Sequence, residues 1–235
     1  PKCSGTQIFS PAMKSITVPF ISSQVTEAAS VPQILSSGNA EWHEVSCNNW
    51  PEDFPYTPKA KFRIGHTHDA FLIEYQADED TVRARYADDN GDVWTDSCME
   101  FFLSPDNSDG IYYNLECSCI GTVLLGVRGG NVEKAHAPTS VLSSIKRWAS
   151  VGRLPFEERC ADSPWTVALI VPFGAFWHHD ISQMLKSGHR NMRANFYKCG
   201  DGLAKPHFLS WSPIENAKPN FHLPSFFGEI TMEKQ

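Results

Sequence analysis

Runs of lysine and arginine are missing from this sequence. It carries 20 Lys and Arg against 27 Asp and Glu, a formal net charge of −7. That balance argues against a nucleic-acid partner, which would need a basic patch. Also missing is any apolar stretch of about 18 residues, so no membrane-spanning helix is expected. The opening segment, PKCSGTQIFSPAMKSITVPF, has no apolar core of the signal-peptide kind. No CxxC pair occurs, which argues against a zinc site. There is no alternation of strand-like and helix-like segments, which disfavours a parallel sheet. No internal repeat and no linker divides the 235 residues. One domain over 1–235 is therefore expected, with 1–38 as an irregular lead-in holding one short strand near Ile16 to Val18.

What is present points to a β protein. The hydrophobic share of 41% is enough for a sizeable core. Period-two apolar positions recur at Phe62 and Ile64, and at Phe71, Ile73, Tyr75 and Ala77. They return at Met99, Phe101 and Leu103, and at Tyr113, Leu115, Cys117 and Cys119. Two more runs are Trp165, Val167, Leu169 and Val171, then Ala194 and Phe196. Asp, Asn, Gly and Pro clusters separate them, at 88–92, 105–107 and 129–130. Such spacing predicts an all-β, antiparallel β-sandwich with jelly-roll or immunoglobulin-like layers. One or two short helices are expected, around Phe173 to His178 and Ile181 to Lys186.

Seven cysteines, Cys3, Cys47, Cys98, Cys117, Cys119, Cys160 and Cys199, leave at least one unpaired within the chain. Cys117 and Cys119 share a strand face and suit the role of small buried hydrophobes. This leans towards a reducing, cytoplasmic setting. A leader removed from the sequence would leave the periplasm or secretion open.

The stretch VWTDSCMEFFLSP, 93–105, is unusual. It sets Asp96, Ser97 and Glu100 at the mouth of a strongly apolar strand. With Met99, Phe101 and Leu103 facing the core, Glu100 faces the other way. One reading makes Asp96 and Ser97 turn or bulge residues and leaves Glu100 solvated or paired with an arginine. The other makes Trp94 and the acids the rim of a ligand site. A tryptophan face suits the C–H face of a sugar ring, and neighbouring carboxylates and amides suit its hydroxyls.

The segments WTDSCMEFFLSP and IYYNLECSCIGTVL resemble carbohydrate-binding module family 9, with its tryptophan ahead of an acidic strand start. So does the C-terminal RANFYKCGD…PHFLSWSPIENAKPNFHLPSFFGEITM. From about Ile16 onward the chain is similar to standalone bacterial family-9-like proteins. The resemblance implies a β-sandwich that holds a saccharide between two aromatic rings without catalysis, in support of polysaccharide or glycan catabolism. The first ring falls on Trp94. The second, a tryptophan in the family, falls on Phe221, which offers less stacking surface. Asn114 and Glu116, alternating on the strand after the acidic one, match the family's polar contacts. The arginine the family carries in that strand has no match there. Family members need no cofactor but carry structural calcium, for which Asp88, Asp89, Asn90 and Asp92 supply hard oxygen ligands. A glycoside hydrolase is a natural partner for such a module.

Other candidates are weighed beside these. Asn195, Tyr197 and Lys198 flank a strand end and either line the same cleft or form an outward polar face. His207 and His222 lie near Phe221, and either can donate to a sugar hydroxyl. Trp211 reads as core. His66-x-His68 and His178-His179 lack a third ligand nearby. Cys98 has no partner base to make it a nucleophile. Two other functions stay open. One is a glycoside hydrolase using two of Asp96, Glu100 and Glu116. The other is a protein-interaction or haem-carrying sandwich, for which Met99 would point the wrong way.

Overall fold

A computed structural model describes residues 13–234, so Cys3 and the first part of the lead-in lie outside the described residues. In chain order the strands are β1 (Ser15–Val18), β2 (His43–Glu44), β3 (Cys47–Asn48), β4 (Lys59–His66), β5 (Ala70–Asp78), β6 (Thr81–Ala84), β7 (Cys98–Ser104) and β8 (Ile111–Ser118). They continue with β9 (Val123–Gly129), β10 (Ala135–His136), β11 (Lys146–Ala149), β12 (Phe156–Cys160), β13 (Trp165–Pro172), β14 (Asn191–Cys199), β15 (Phe208–Ser210) and β16 (Gly228–Met232). Three short helices, α1 (Val31–Ser37), α2 (Thr139–Ser144) and α3 (Ile181–Lys186), decorate them.

The strands form an antiparallel β-sandwich. One layer runs β1-β16-β14-β7-β8-β9-β10, with β15 and β3 added beside β14; the other runs β11-β13-β5-β4-β2. β6 and β12 make a separate small ribbon. The one parallel strand pairing among the described residues is β1 with β16. Pairing follows the period-two pattern. Phe101, Leu115 and Phe196 point from the first layer towards Phe62, Phe71 and Ile73 of the second, all buried in one cluster. Phe62 and Phe196 stack face to face across the layers with ring centroids 3.4 Å apart.

The first layer is also covered on its other face. Trp50, Phe102, Tyr112, Tyr197, Ile214 and Phe227 form a second cluster there, with Phe54, Phe208 and Phe221 packed against it. Chain from the 47–54 and 208–227 regions therefore roofs part of the sheet. This explains why every residue of β7 is buried, the even-numbered ones included.

The lead-in is more ordered than its composition suggested. Val31 and Leu35, one helical turn apart on α1, are fully buried. They pack with Leu72, Ala168 and Ile170 on the outer face of the second layer. Pro32 is tolerated because it sits in the first turn, where its missing N–H costs nothing. Of the two expected helices, α3 forms, capped by the Asp180 side chain accepting from the Gln183 N–H. The other shrinks to a 3₁₀ turn over Phe173–Ala175.

Candidate functional site

A cleft of about 460 Å³ opens on the partly roofed face of the first layer. Its floor is built by alternation. Glu100 and Phe102 of β7, Asn114 and Glu116 of β8, and Leu124 and Arg128 of β9 share one sheet face and line it. Trp94, Phe221 and His222 line it from the loops, with Asp92, Lys134, His136, Asp201 and Asn220.

Trp94 lies in a 3₁₀ turn, Val93–Thr95, whose Val93 is buried and pins it to the sheet. At 37% exposed, its indole is among the most open large apolar groups of the molecule. The turn is held by an arginine that sequence reasoning passed over. Arg83 Nε donates to Asp96 Oδ1 at 2.8 Å, and Arg83 Nη2 donates to the Thr95 carbonyl at 2.5 Å. Arg83 Nη1 also donates to the Gly202 carbonyl. The other Asp96 oxygen accepts the Arg85 N–H at 2.7 Å, and Ser97 Oγ accepts the Arg83 N–H. Asp96 and Ser97 are thus the anchor of the strand entry, buried and away from the cleft. Glu100 differs from both expectations of a solvated or arginine-paired acid. It is buried, and it lines the cleft.

Glu100 and Glu116 are directly opposed on β7 and β8. Burial raises both carboxyls: Glu100 well above its usual range, with Glu116 adding repulsion, and Glu116 up to about 7. One oxygen of each is engaged. Cys199 Sγ donates to Glu100 Oε1 at 3.1 Å, and Asn114 Nδ2 donates to Glu116 Oε1 at 2.9 Å. The other oxygens, with Asn114 Oδ1 and Arg128 Nε, are buried and have no hydrogen-bond partner in the protein. Unpaired buried polar atoms are rare and costly, about 1–3 kcal/mol each, and here four converge on one cleft. Gly126, opposite Asn114, leaves room for the amide.

The second ring is a supported wall. Phe221 lies flat on Tyr197 with centroids 4.1 Å apart and planes 8° apart, and the Tyr197 hydroxyl donates to the Phe221 carbonyl. His222 packs on Phe102, and its Nδ1 lies 3.2 Å from the Tyr112 hydroxyl. Burial lowers its pKa to about 4, so the ring is neutral at pH 7.

The structure therefore gathers Trp94, Phe221, Asn114, Glu116 and His222 in one place and corrects three other expectations. Asn195 is buried, its amide donating to the Ser212 carbonyl and accepting the Ser212 N–H. Tyr197 supports Phe221 from behind. Lys198 points to the opposite, inter-layer face. There its Nζ lies 2.9 Å from Glu79 Oε2 and 2.7 Å from His207 Nε2. His207 is thereby an internal acceptor, not a cleft donor. The turn acids do not assemble a cation cradle either. Asp89 is ion-paired to Arg147 at 2.6 Å, and Asn90 holds backbone groups of Leu125 and Ala137. Asp92 faces the cleft with Trp94, and Asp88 accepts the Gly91 N–H through its backbone carbonyl. These side chains do not fit a calcium ion as they stand.

What sequence reasoning missed is mostly across strands or in loops. Arg128, on the next strand along from β8, brings a guanidinium to the cleft lining. The alternation Leu124, Gly126, Arg128 opposite Asn114 and Glu116 was the signal for it. Lys134 and Asp201 reach the cleft from loops and His136 from the two-residue edge strand β10, and none had a local signal.

The family model for carbohydrate-binding family 9 matches residues 29–232. The chain belongs to carbohydrate-binding family 9. Among solved structures, this family-9 chain is similar to a protein of Bacteroides uniformis described as carbohydrate-binding. The two share 40% identity over 94% of this chain and 100% of that one, with a TM-score of 0.86. It shares its fold with a family 9 module of Caldicellulosiruptor kristjanssonii solved with cellotriose, at 14% identity, TM-score 0.58, over 94% and 95% of the two chains. A module from the same organism solved with glucose gives 15% identity and a TM-score of 0.55, over 94% and 97%. None of the curated proteins matches the chain.

Proposed function

We propose that this family 9 chain binds one or two sugar units of a saccharide, without cleaving them, in the cleft lined by Trp94 and Phe221. The carrying observation is the set of unpartnered polar atoms on the floor. Asn114 Oδ1 is an acceptor for ligand hydroxyls and Arg128 Nε a donor, while Glu100 Oε2 and Glu116 Oε2 donate to a hydroxyl when protonated and accept from one when ionised. A sugar presents both kinds of group around an apolar ring, so it answers the floor and the walls together. The rings desolvate the C–H faces, worth about 25 cal/mol per Å². The floor sets hydroxyl geometry. Affinity is modest, because a small polar ligand loses its own hydration on entry.

Cleavage fits less well. Glu100 and Glu116 stand side by side on one sheet face, whereas glycosidases flank the scissile bond with their two carboxyls. Asp96 is committed to Arg83. A module of this kind serves polysaccharide breakdown by holding a chain end for a glycoside hydrolase partner.

The test is calorimetric titration with mono- and oligosaccharides, glucose and cello-oligosaccharides included, while product formation is followed in the same samples. Saturable heat without product is expected, and Trp94→Ala should weaken it at least tenfold with an unchanged melting curve. A flat panel from folded protein, or binding that survives Trp94→Ala, overturns the reading.

A further inference from the structure

Beneath the Trp94 turn, Cys98 of β7 and Cys199 of β14 face each other across the strand pair. Glu100 is the next residue along β7 on the same face. The two sulfurs and a Glu100 carboxylate oxygen all lie within 4.8 Å of one another. Among the described residues, this is the one group of three or more His, Cys, Asp or Glu side chains drawn so close. All three residues are buried. Cys199 Sγ lies 3.1 Å from Glu100 Oε1 and 3.5 Å from the Trp94 carbonyl oxygen. Glu100 Oε2 is buried without a partner. Neither cysteine is disulfide-bonded.

We infer that Cys98, Glu100 and Cys199 form a binding site for one thiophilic divalent cation of the zinc or cadmium class, set in the floor of the cleft. Two sulfurs and one carboxylate oxygen make three corners of the tetrahedron such ions prefer. Bond lengths of about 2.3 Å to sulfur and about 2.0–2.2 Å to oxygen put the donors roughly 3.5–3.8 Å apart around one ion. No pair therefore needs to close by more than about 1 Å, and Cys199 Sγ and Glu100 Oε1, at 3.1 Å, need to open slightly. The Trp94 carbonyl oxygen, or a molecule in the cleft, supplies the fourth corner. Sulfur ligands select against calcium and magnesium, which take hard oxygens. On binding, each thiol gives up its proton to solvent and becomes a thiolate, and the Glu100 carboxyl, where it is protonated, does the same and becomes a carboxylate. Glu100, though buried, is one of the residues that line the cleft, and the cleft is the entry path. The ion would bind a Glu100 carboxylate oxygen in place of the Cys199 S–H that now donates to Oε1. Where the saccharide reading holds, metal and sugar then compete for Glu100, and this clause alone rests on that reading.

The test titrates the full chain, kept reduced with a phosphine, with cadmium chloride and follows the ultraviolet sulfur-to-cadmium charge-transfer band. The expected result is saturation at one equivalent, with affinity falling at least a hundredfold in Cys98→Ser and in Cys199→Ser. Cys160→Ser removes an exposed thiol and should leave the titration unchanged. Glu100→Gln should cost at least tenfold while keeping the band, and it stands in if a cysteine variant fails to fold. Absence of the band in the parent, or its survival in both Cys98→Ser and Cys199→Ser, overturns the site. One-equivalent binding in a protein whose sugar panel is flat upholds the metal site and removes only the competition.

Discussion

At the scale of a residue, Glu116 shows what the cleft demands of the fold. Burial pushes its carboxyl up to about 7, against an ordinary value of 4.5. A raised folded-state pKa means that the native protein holds a proton that the unfolded chain has already released. The stability from that proton is complete below the unfolded pKa and is lost as pH rises towards 7. Glu116→Gln keeps the size and the polarity and never ionises. Thermal melts should therefore show the variant gaining on the parent between pH 4.5 and 7.5, by about 1 kcal/mol or more. Equal gaps at the two pH values would show that Glu116 titrates normally in the folded chain. A sugar-binding role predicts the accompanying cost: above pH 7, where the parent's Glu116 is ionised and its Oε2 is a free acceptor, the same substitution should weaken saccharide binding. Stability gained at a binding residue at the expense of its function is the familiar exchange.

At the scale of an element, β9 supports the floor by having almost no side chain at its centre. A Cβ on Gly126 would come within 2.7 Å of Asn114 Oδ1. The amide would have to swing, and its bond to Glu116 would go with it. Gly126→Ala should cut saccharide affinity about tenfold, the worth of one lost hydrogen bond, with a melting temperature close to the parent's. Titration beside a melting curve separates the two. Elements of this kind were partly legible in the sequence. Strands β4, β5, β7, β8, β13 and β14 announce themselves through period-two apolar residues, because a sandwich strand buries one face against the other layer. The helix α1 did not. It has one buried turn, no side-chain cap and a lead-in composition of Ser, Pro and Ala. The site was legible on β7 and β8, where neighbours in sequence are neighbours on the floor. It was illegible at Arg128, Asp201 and Arg83, which arrive from other strands and loops through pairings no local pattern encodes.

At the scale of the whole molecule, the two layers are joined by more than apolar contact. Lys198 belongs to β14 in the first layer, and by strand period it occupies a core position beside Phe196. A lysine in a core is rare unless paired, so neither of the two places the sequence suggests for it, the cleft or an outward polar face, is the one it takes. Its partner Glu79 follows β5 in the second layer, and Glu79 Oε1 also accepts the Trp165 indole N–H at 2.6 Å. His207 completes the set. Its Nδ1 lies 2.9 Å from the Lys205 carbonyl, which makes Nδ1 the donor and leaves Nε2 to accept from the ammonium. Burial and the Lys198 charge lower its pKa to about 2, so it stays neutral. Lys198→Met leaves Glu79 buried and unpaired, and should cost about 3–5 kcal/mol in denaturant unfolding. Lys198→Met combined with Glu79→Gln should cost clearly less than Lys198→Met alone, because no charge is then stranded. A double variant no better than the single one would show that packing, not charge, is what Lys198 provides.

The same arrangement limits how this sequence can drift. Losing the lysine or the glutamate alone passes through a protein with a bare charge in its interior, while losing both leads back to a stable one. Positions 79 and 198 are therefore an epistatic pair. Among descendants of this chain they should be found kept together or replaced together, and any lineage that has changed one should carry its compensation at the other.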